Sequence, residues 1–284
     1  RPQYRGGRHR RHRPPPVHAR MKKYWVAYGI ALQETLQRRS TFIMDRLGGF
    51  AVVISLYSFW IALIGDKATF LGYSHAEMLT YVLLLNVLRS FVFTGRGWQL
   101  VGEISSGRIS SYLVRPLSYH GYALSLDLAQ KTVHAASAVL EVGLLALLVR
   151  GQLFLPRDPA TWFLFVVAVI MSSLLFFFLE FMVSSLAFWT SESGGPLFCF
   201  ELFLQFAAGA FFPLDVLPAG LRQALEATPF PYMVYFPVRI FLEKISPAEA
   251  MHLLSIETAW LLAVTTAAMM VWRRGLRSYA AEGG

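Results

Sequence analysis

The sequence predicts an all-α integral membrane protein, and three observations carry that prediction. Of 284 residues, 55% are hydrophobic and only 15% charged, too apolar for a soluble domain of this size. Mean hydropathy is +0.47. The apolar residues gather into six runs separated by short polar or proline-rich stretches, and these runs read as helices crossing roughly 30 Å of hydrocarbon. The expected fold is therefore six transmembrane helices, preceded by an interfacial elbow helix and interrupted by two specialised connections.

Residues 1–20 form a basic leader. Seven arginines lie before Met21, and removing them takes the net charge from +9 to +2, so the membrane part is close to neutral. The leader has no apolar h-region, and its Arg, His, Pro and Gly composition cannot bury a core. Disorder is the expectation for 1–20, and residues 21–284 form the transmembrane domain.

Residues 24–39 alternate Trp25, Tyr28 and Leu32 with Gln33, Glu34 and Arg38, a pattern suited to the headgroup level. The first span is expected at 47–64 and the second at 78–94, with Arg89 near its end. The third span, 124–149, carries His134 and Glu141 seven residues apart on one helical side. The fourth covers 162–189, the fifth 197–212 and the sixth 253–272. Between the last two, prolines at 213, 218, 229, 231 and 237 exclude an unbroken helix. Irregular backbone is not tolerated in contact with lipid, so short re-entrant or extracellular helices are expected there.

The segment 98–119 is the longest mixed polar stretch between apolar runs. Leu100, Val101 and Ile104 fall at helical spacing, Gly107 permits a turn, and Ile109, Tyr112 and Leu113 mark a second helical face. Arg115-Pro116 ends it, because the residue before proline is pushed out of the α region. Two short helices with a break follow. On the residues alone, this is either an ordinary connecting loop or a docking surface.

The pattern Glu103-Ile104-x-x-Gly107-x-Ile109-x-x-x-Leu113-x-Arg115-Pro116-Leu117-x-Tyr119 resembles the first cytoplasmic loop of ABC-2 type transporter permeases with six spans and no fused ATPase. The resemblance runs from about residue 22 to 277. It implies that 98–119, between spans two and three, is a coupling helix seated in a groove of an ATP-hydrolysing subunit. Glu103, Arg108 and Arg115 would make polar contacts there, while Ile104, Ile109 and Leu113 fill the groove around Gly107 and Pro116. It also implies two ATP-binding subunits, and a second permease that is a related chain or an identical copy. This chain should carry no cofactor, with ATP and Mg on the partner ATPase; its own sequence has no GxxxxGK[ST] phosphate loop.

Charge gives the orientation. The leader, the 98–119 segment, the loop at Glu192 and the tail with Arg273, Arg274 and Arg277 share one side in a six-span chain. That side holds most of the basic residues, so both termini should be cytoplasmic, in the cell inner membrane. With the excess charge confined to the leader, the lipid bilayer rather than nucleic acid is the expected environment.

Ionisable residues in or beside the spans are costly, and they face partners or cavities. They are Asp45, Arg46, Arg89, His134, Glu141, Glu180, Glu201 and Glu257. Inter-helical pairing is the first expectation, with Arg89 meeting Glu180 or Glu201, and pathway lining the second, with Glu141 the best candidate. The lone Cys199 and the scattered histidines fit neither a disulfide nor a metal site. An ATPase-independent carrier or channel, or a membrane anchor of a complex, are the alternative functions. A carrier of that kind is expected to show an internal repeat, and none is visible between the two halves.

Overall fold

The structure is a computed structural model describing residues 17–37, 39–65, 69–70, 72–115, 117–149, 153–190 and 194–282. Helix α1 (Val17–Gln37) packs along the first turns of α6 (Tyr119–Val149). It begins directly after the Pro14-Pro15-Pro16 run and takes in 17–20, so those four residues of the expected leader are helical. The remainder of the leader lies outside the described residues.

Helix α2 (Arg39–Ile64) leads to a two-residue antiparallel ladder, β1 (Thr69–Phe70) with β2 (Tyr73–Ser74), and then α3 (His75–Val92). A capping box fixes the start of α3: the Ser74 hydroxyl accepts from the Glu77 backbone N–H, and the Glu77 carboxylate accepts from the Ser74 N–H at 2.7 Å. Two short helices follow, α4 (Gly97–Ser105) and α5 (Ile109–Leu113), with Gly107 between them at φ +75. The predicted break therefore falls at the residue that tolerates positive φ. Pro116 lies outside the described residues.

Helix α7 (Pro159–Ser184) is capped by Asp158, whose side chain accepts from the Ala160 N–H, and runs on into a 3-10 turn, Ser185–Phe188. Helix α8 (Gly194–Ala207) covers most of the expected fifth span, 197–212, and ends five residues short of its expected limit. Its 14 residues rise about 21 Å, and the remaining residues of the expected span, 208–212, continue as turns and bends. The chain turns at Gly209, whose φ is +77, and there Tyr81 Oη donates to the Gly209 carbonyl at 2.9 Å while the Tyr235 N–H donates to Ala208 O at 3.1 Å. These long-range contacts end the helix where its composition would let it continue.

The proline-rich connection holds α9 (Ala219–Glu226), α10 (Tyr235–Phe241) and two 3-10 turns. Pro237 sits in the first turn of α10, where its missing N–H costs nothing. Helix α11 (Pro247–Glu282) is longer than the expected 253–272 and carries the basic tail in its last turns.

Four helical segments among the described residues are long and apolar enough to cross a membrane: Arg46–Leu63, His75–Ser105, Pro159–Phe188 and Pro247–Tyr279. The central core forms where α3 meets α7, α10 and the Phe230–Met233 turn, around Tyr81, Leu85, Leu88, Leu175, Phe176 and Tyr235. A second cluster lies under α4 and α5.

Candidate functional site

The α4–α5 hairpin is fastened to the helix bundle by several polar contacts along its inner face. At its entry, the Arg96 N–H donates to Glu180 Oε2 of α7 at 3.0 Å. Glycines make the approach feasible. A Cβ on Gly95 would overlap the Glu180 carboxylate, and one on Gly97 would come within 2.7 Å of Ser184 Oγ and 2.8 Å of Glu180 Cγ. Trp98 Nε1 of α4 donates to Glu201 Oε1 of α8 at 2.9 Å.

Further along, Glu103 is buried at 8% exposure; it accepts from Tyr119 Oη of α6 at 2.6 Å and lies 3.9 Å from the Arg96 guanidinium. Tyr119 stacks on Trp272 of α11, with ring centroids 5.0 Å apart and planes 13° from parallel. At the break, Tyr279 Oη of α11 donates to the Gly107 carbonyl at 3.1 Å and lies 3.0 Å from Ser110 Oγ. The hairpin thus touches α6, α7, α8 and α11.

This arrangement divides the residues expected in the coupling segment. Glu103, Ile104 and Ile109 are turned inward, Ile109 completely, and the two isoleucines join the cluster with Leu100, Phe181 and Trp272. Within this chain they therefore face the bundle rather than its outer surface, because an amphipathic helix lying on a bundle buries its apolar stripe against that bundle. Arg108, Leu113 and Arg115 are exposed, as is Val114 at 84%, and the Arg115 guanidinium lies 5.0 Å from the Tyr112 ring.

Glu180 and Glu201 therefore serve the hairpin, and neither meets Arg89. Arg89 Nη2 donates instead to Gln205 Oε1 at 2.9 Å, with its guanidinium 5.9 Å from the Phe211 ring. The inter-helical charge pair is between Arg46 of α2 and Glu141 of α6, 3.7 Å apart. Arg46 also donates to Ser90 Oγ at 3.1 Å and lies 3.1 Å from His134 Nδ1, while Asn86 Nδ2 donates to Glu141 at 3.1 Å. Beside this network is a cavity of about 540 Å³, lined by α2 and α3 with His134 of α6 and Gln205 of α8. Glu257 accepts from Ser172 Oγ at 3.0 Å, and the Ser172 hydroxyl also lies 2.7 Å from the Tyr232 carbonyl. The Asp45 side chain and the loop at Glu192 lie outside the described residues.

One buried pair escaped the sequence reading. Asp127 and Lys131 of α6 are 3.0 Å apart and almost wholly enclosed, and Lys131 Nζ donates to Ser173 Oγ at 2.9 Å. Their four-residue spacing on one helix was the available signal.

At the other end of the bundle, Asp215 accepts from Tyr73 Oη and Tyr235 Oη, both at 2.8 Å, and lies 3.5 Å from Arg222. Burial raises both phenols, and the Asp215 carboxylate raises them further, so both remain proton donors at any physiological pH. Lys244 ties the same end together, 2.6 Å from Glu77 and donating to the Gly72 carbonyl at 2.8 Å.

A family model described as ABC-2 family transporter protein matches residues 50–283. A search of curated proteins found no match.

Proposed function

This chain belongs to the ABC-2 family of transporter proteins, as a membrane permease component of an ABC transporter, and from that premise we propose that it is an exporter subunit driven by separate ATPase chains. Six membrane crossings are proposed, with α2, α3, α6, α7, α8 and α11 as the crossing elements and both termini cytoplasmic. Two ATP-binding subunits, which bind ATP and Mg, dock on the α4–α5 hairpin. A second permease completes the pathway. The exposed apolar side of α2, with Ile54, Phe59 and Ile61, supports a contact with that permease or with lipid.

The observation that carries the reading is the division of the hairpin into two faces. Arg108, Leu113, Val114 and Arg115 point away from the bundle, while Glu103, Trp98 and Gly107 are tied to α6, α8 and α11. A push on the outer face reaches helices that line the interior, because those ties leave the hairpin little freedom to move alone. In this mechanism, closure of the ATPase pair shifts α4 and α5, and the shift passes through Glu180 and the Tyr119–Trp272 stack into the rest of the bundle.

The test is a mild-detergent pull-down of the tagged full chain from its own host, with mass spectrometry and an ATP hydrolysis assay on the eluate. A co-purifying ATPase with hydrolytic activity supports the proposal. A chain recovered alone and without activity moves the reading to an ATPase-independent carrier or an anchor.

A further inference from the structure

The cavity beside α2 is lined by two arginines, Arg46 and Arg89, and by no carboxylate among the described residues. Arg46 is balanced by Glu141 at 3.7 Å. Arg89 has no carboxylate within ion-pair distance among the described residues; its hydrogen-bond partner is the neutral Gln205. A cation held at this depth is costly unless water or an anion reaches it. At about 540 Å³, the cavity falls within the roughly 300–1,000 Å³ of small-molecule sites.

The wall is amphipathic. Arg89, Asn86, Ser90, Thr94 and His134 supply polar groups, and the α2 residues Val52, Val53 and Leu56 supply an apolar strip. Gly48 and Gly49 line the α2 side. A Cβ on Gly48 would meet nothing within 4 Å, so the glycine leaves open space there, and one on Gly49 would lie 3.6 Å from Asn86 Oδ1. Met44 and Val52, both on the rim, are exposed, which leaves the cavity open along α2.

We infer that this cavity binds an amphiphile with one anionic headgroup, a phosphate or carboxylate, placed against Arg89 with its apolar part along Val52, Val53 and Leu56. The guanidinium and Gln205 present several donors to the head, as anion recognition by arginine requires. The binding site stands apart from the transport reading; only the further step, that the occupant is cargo, rests on it.

The experiment uses the purified full chain incubated with equal concentrations of phosphatidylglycerol and phosphatidylcholine, with native mass spectrometry counting retained lipid. Wild type should retain one phosphatidylglycerol about tenfold over phosphatidylcholine, and excess inorganic phosphate should not displace it. Arg89→Gln should bring the two lipids to within about twofold. Gly48→Leu keeps every charge and fills the open space, and it should lose the preference as well. Thermal melting in phosphatidylcholine checks that both variants are folded. Equal retention by wild type overturns the site, since the cavity is then a water-filled vestibule. A preference that survives in both variants also overturns it by placing the lipid elsewhere, for instance at Arg273, Arg274 and Arg277. Displacement by phosphate alone overturns the amphiphile and leaves a free-anion site. ATPase recovery plays no part in these outcomes, so failure here leaves the transporter proposal intact, and failure of that proposal leaves the site standing.

Discussion

The carboxylate of Glu180 occupies the space that Gly95 and Gly97 leave without side chains, and it holds the Arg96 N–H at 3.0 Å. One acidic residue on α7 thereby fixes the point where α3 hands over to the α4–α5 hairpin. A methyl group on Gly97 collides with Ser184 Oγ and with Glu180 Cγ; the Cγ lies in the middle of a side chain whose carboxylate holds the Arg96 N–H. Gly97→Ala should cost about 1–3 kcal/mol, the usual range for overpacking, and lower the melting temperature. It should also reduce transport more than protein yield. Normal transport by this variant would show that the seat can shift without disturbing coupling.

A second prediction concerns Arg46 and Glu141, which join α2 to α6 at 3.7 Å. Glu141→Arg places two cations together, and Arg46→Glu two carboxylates. Each should reduce folded protein, and the double exchange should recover part of the loss. An interaction energy on the order of 0.5–3 kcal/mol is expected for groups in contact. A double variant no better than the sum of the singles would mean that Ser90, His134 and Asn86, rather than the charge pair, hold the two helices.

The contrast between these two acids shows what the sequence made legible. The hairpin could be read because its signals are local: helical spacing of Leu100 and Ile104, a glycine at 107 that permits a turn, and a proline after Arg115. The Arg46–Glu141 pair could be anticipated as a class, since charges in apolar helices seek partners, but not as a specific pair. Glu180 and Glu201 defeated the reading for a physical reason. Their partners are a backbone N–H and an indole N–H, which no charge pattern announces. The early end of α8 was hidden in the same way, because Tyr81 and Tyr235, distant in sequence, supply the contacts that turn the chain at Gly209.

The two faces of the hairpin should respond oppositely to substitution. Arg108→Glu combined with Arg115→Glu alters exposed side chains, so stability should stay within about 0.5 kcal/mol, while ATPase recovered in a pull-down should drop at least tenfold. Glu103→Ala removes the buried acceptor of Tyr119 Oη. It should cost roughly 1–3 kcal/mol, read as a lower melting temperature of the permease itself. Full ATPase recovery with the double arginine variant would move the docking face away from α5.

Sidedness offers the most direct check on the topology. The contacts sort residues far apart in sequence into two ends: Gly107 and Ser110 meet Tyr279, whereas Tyr73 meets Asp215 and Lys244 meets Glu77. The first end carries Arg108, Arg115, Arg273, Arg274 and Arg277, and an excess of arginine and lysine marks the cytoplasmic side. In a Cys199→Ser background, Ser110→Cys and Gln223→Cys place single thiols at exposed positions on opposite ends. A membrane-impermeant maleimide should label Gln223→Cys in intact cells and Ser110→Cys only in inverted membranes. Labelling of both from the same side would break the six-crossing arrangement, because an even number of crossings joins the hairpin to the C-terminus and an odd number separates it from α9. Reversed labelling would keep the crossings and place the hairpin outside, where no ATP-driven partner can reach it.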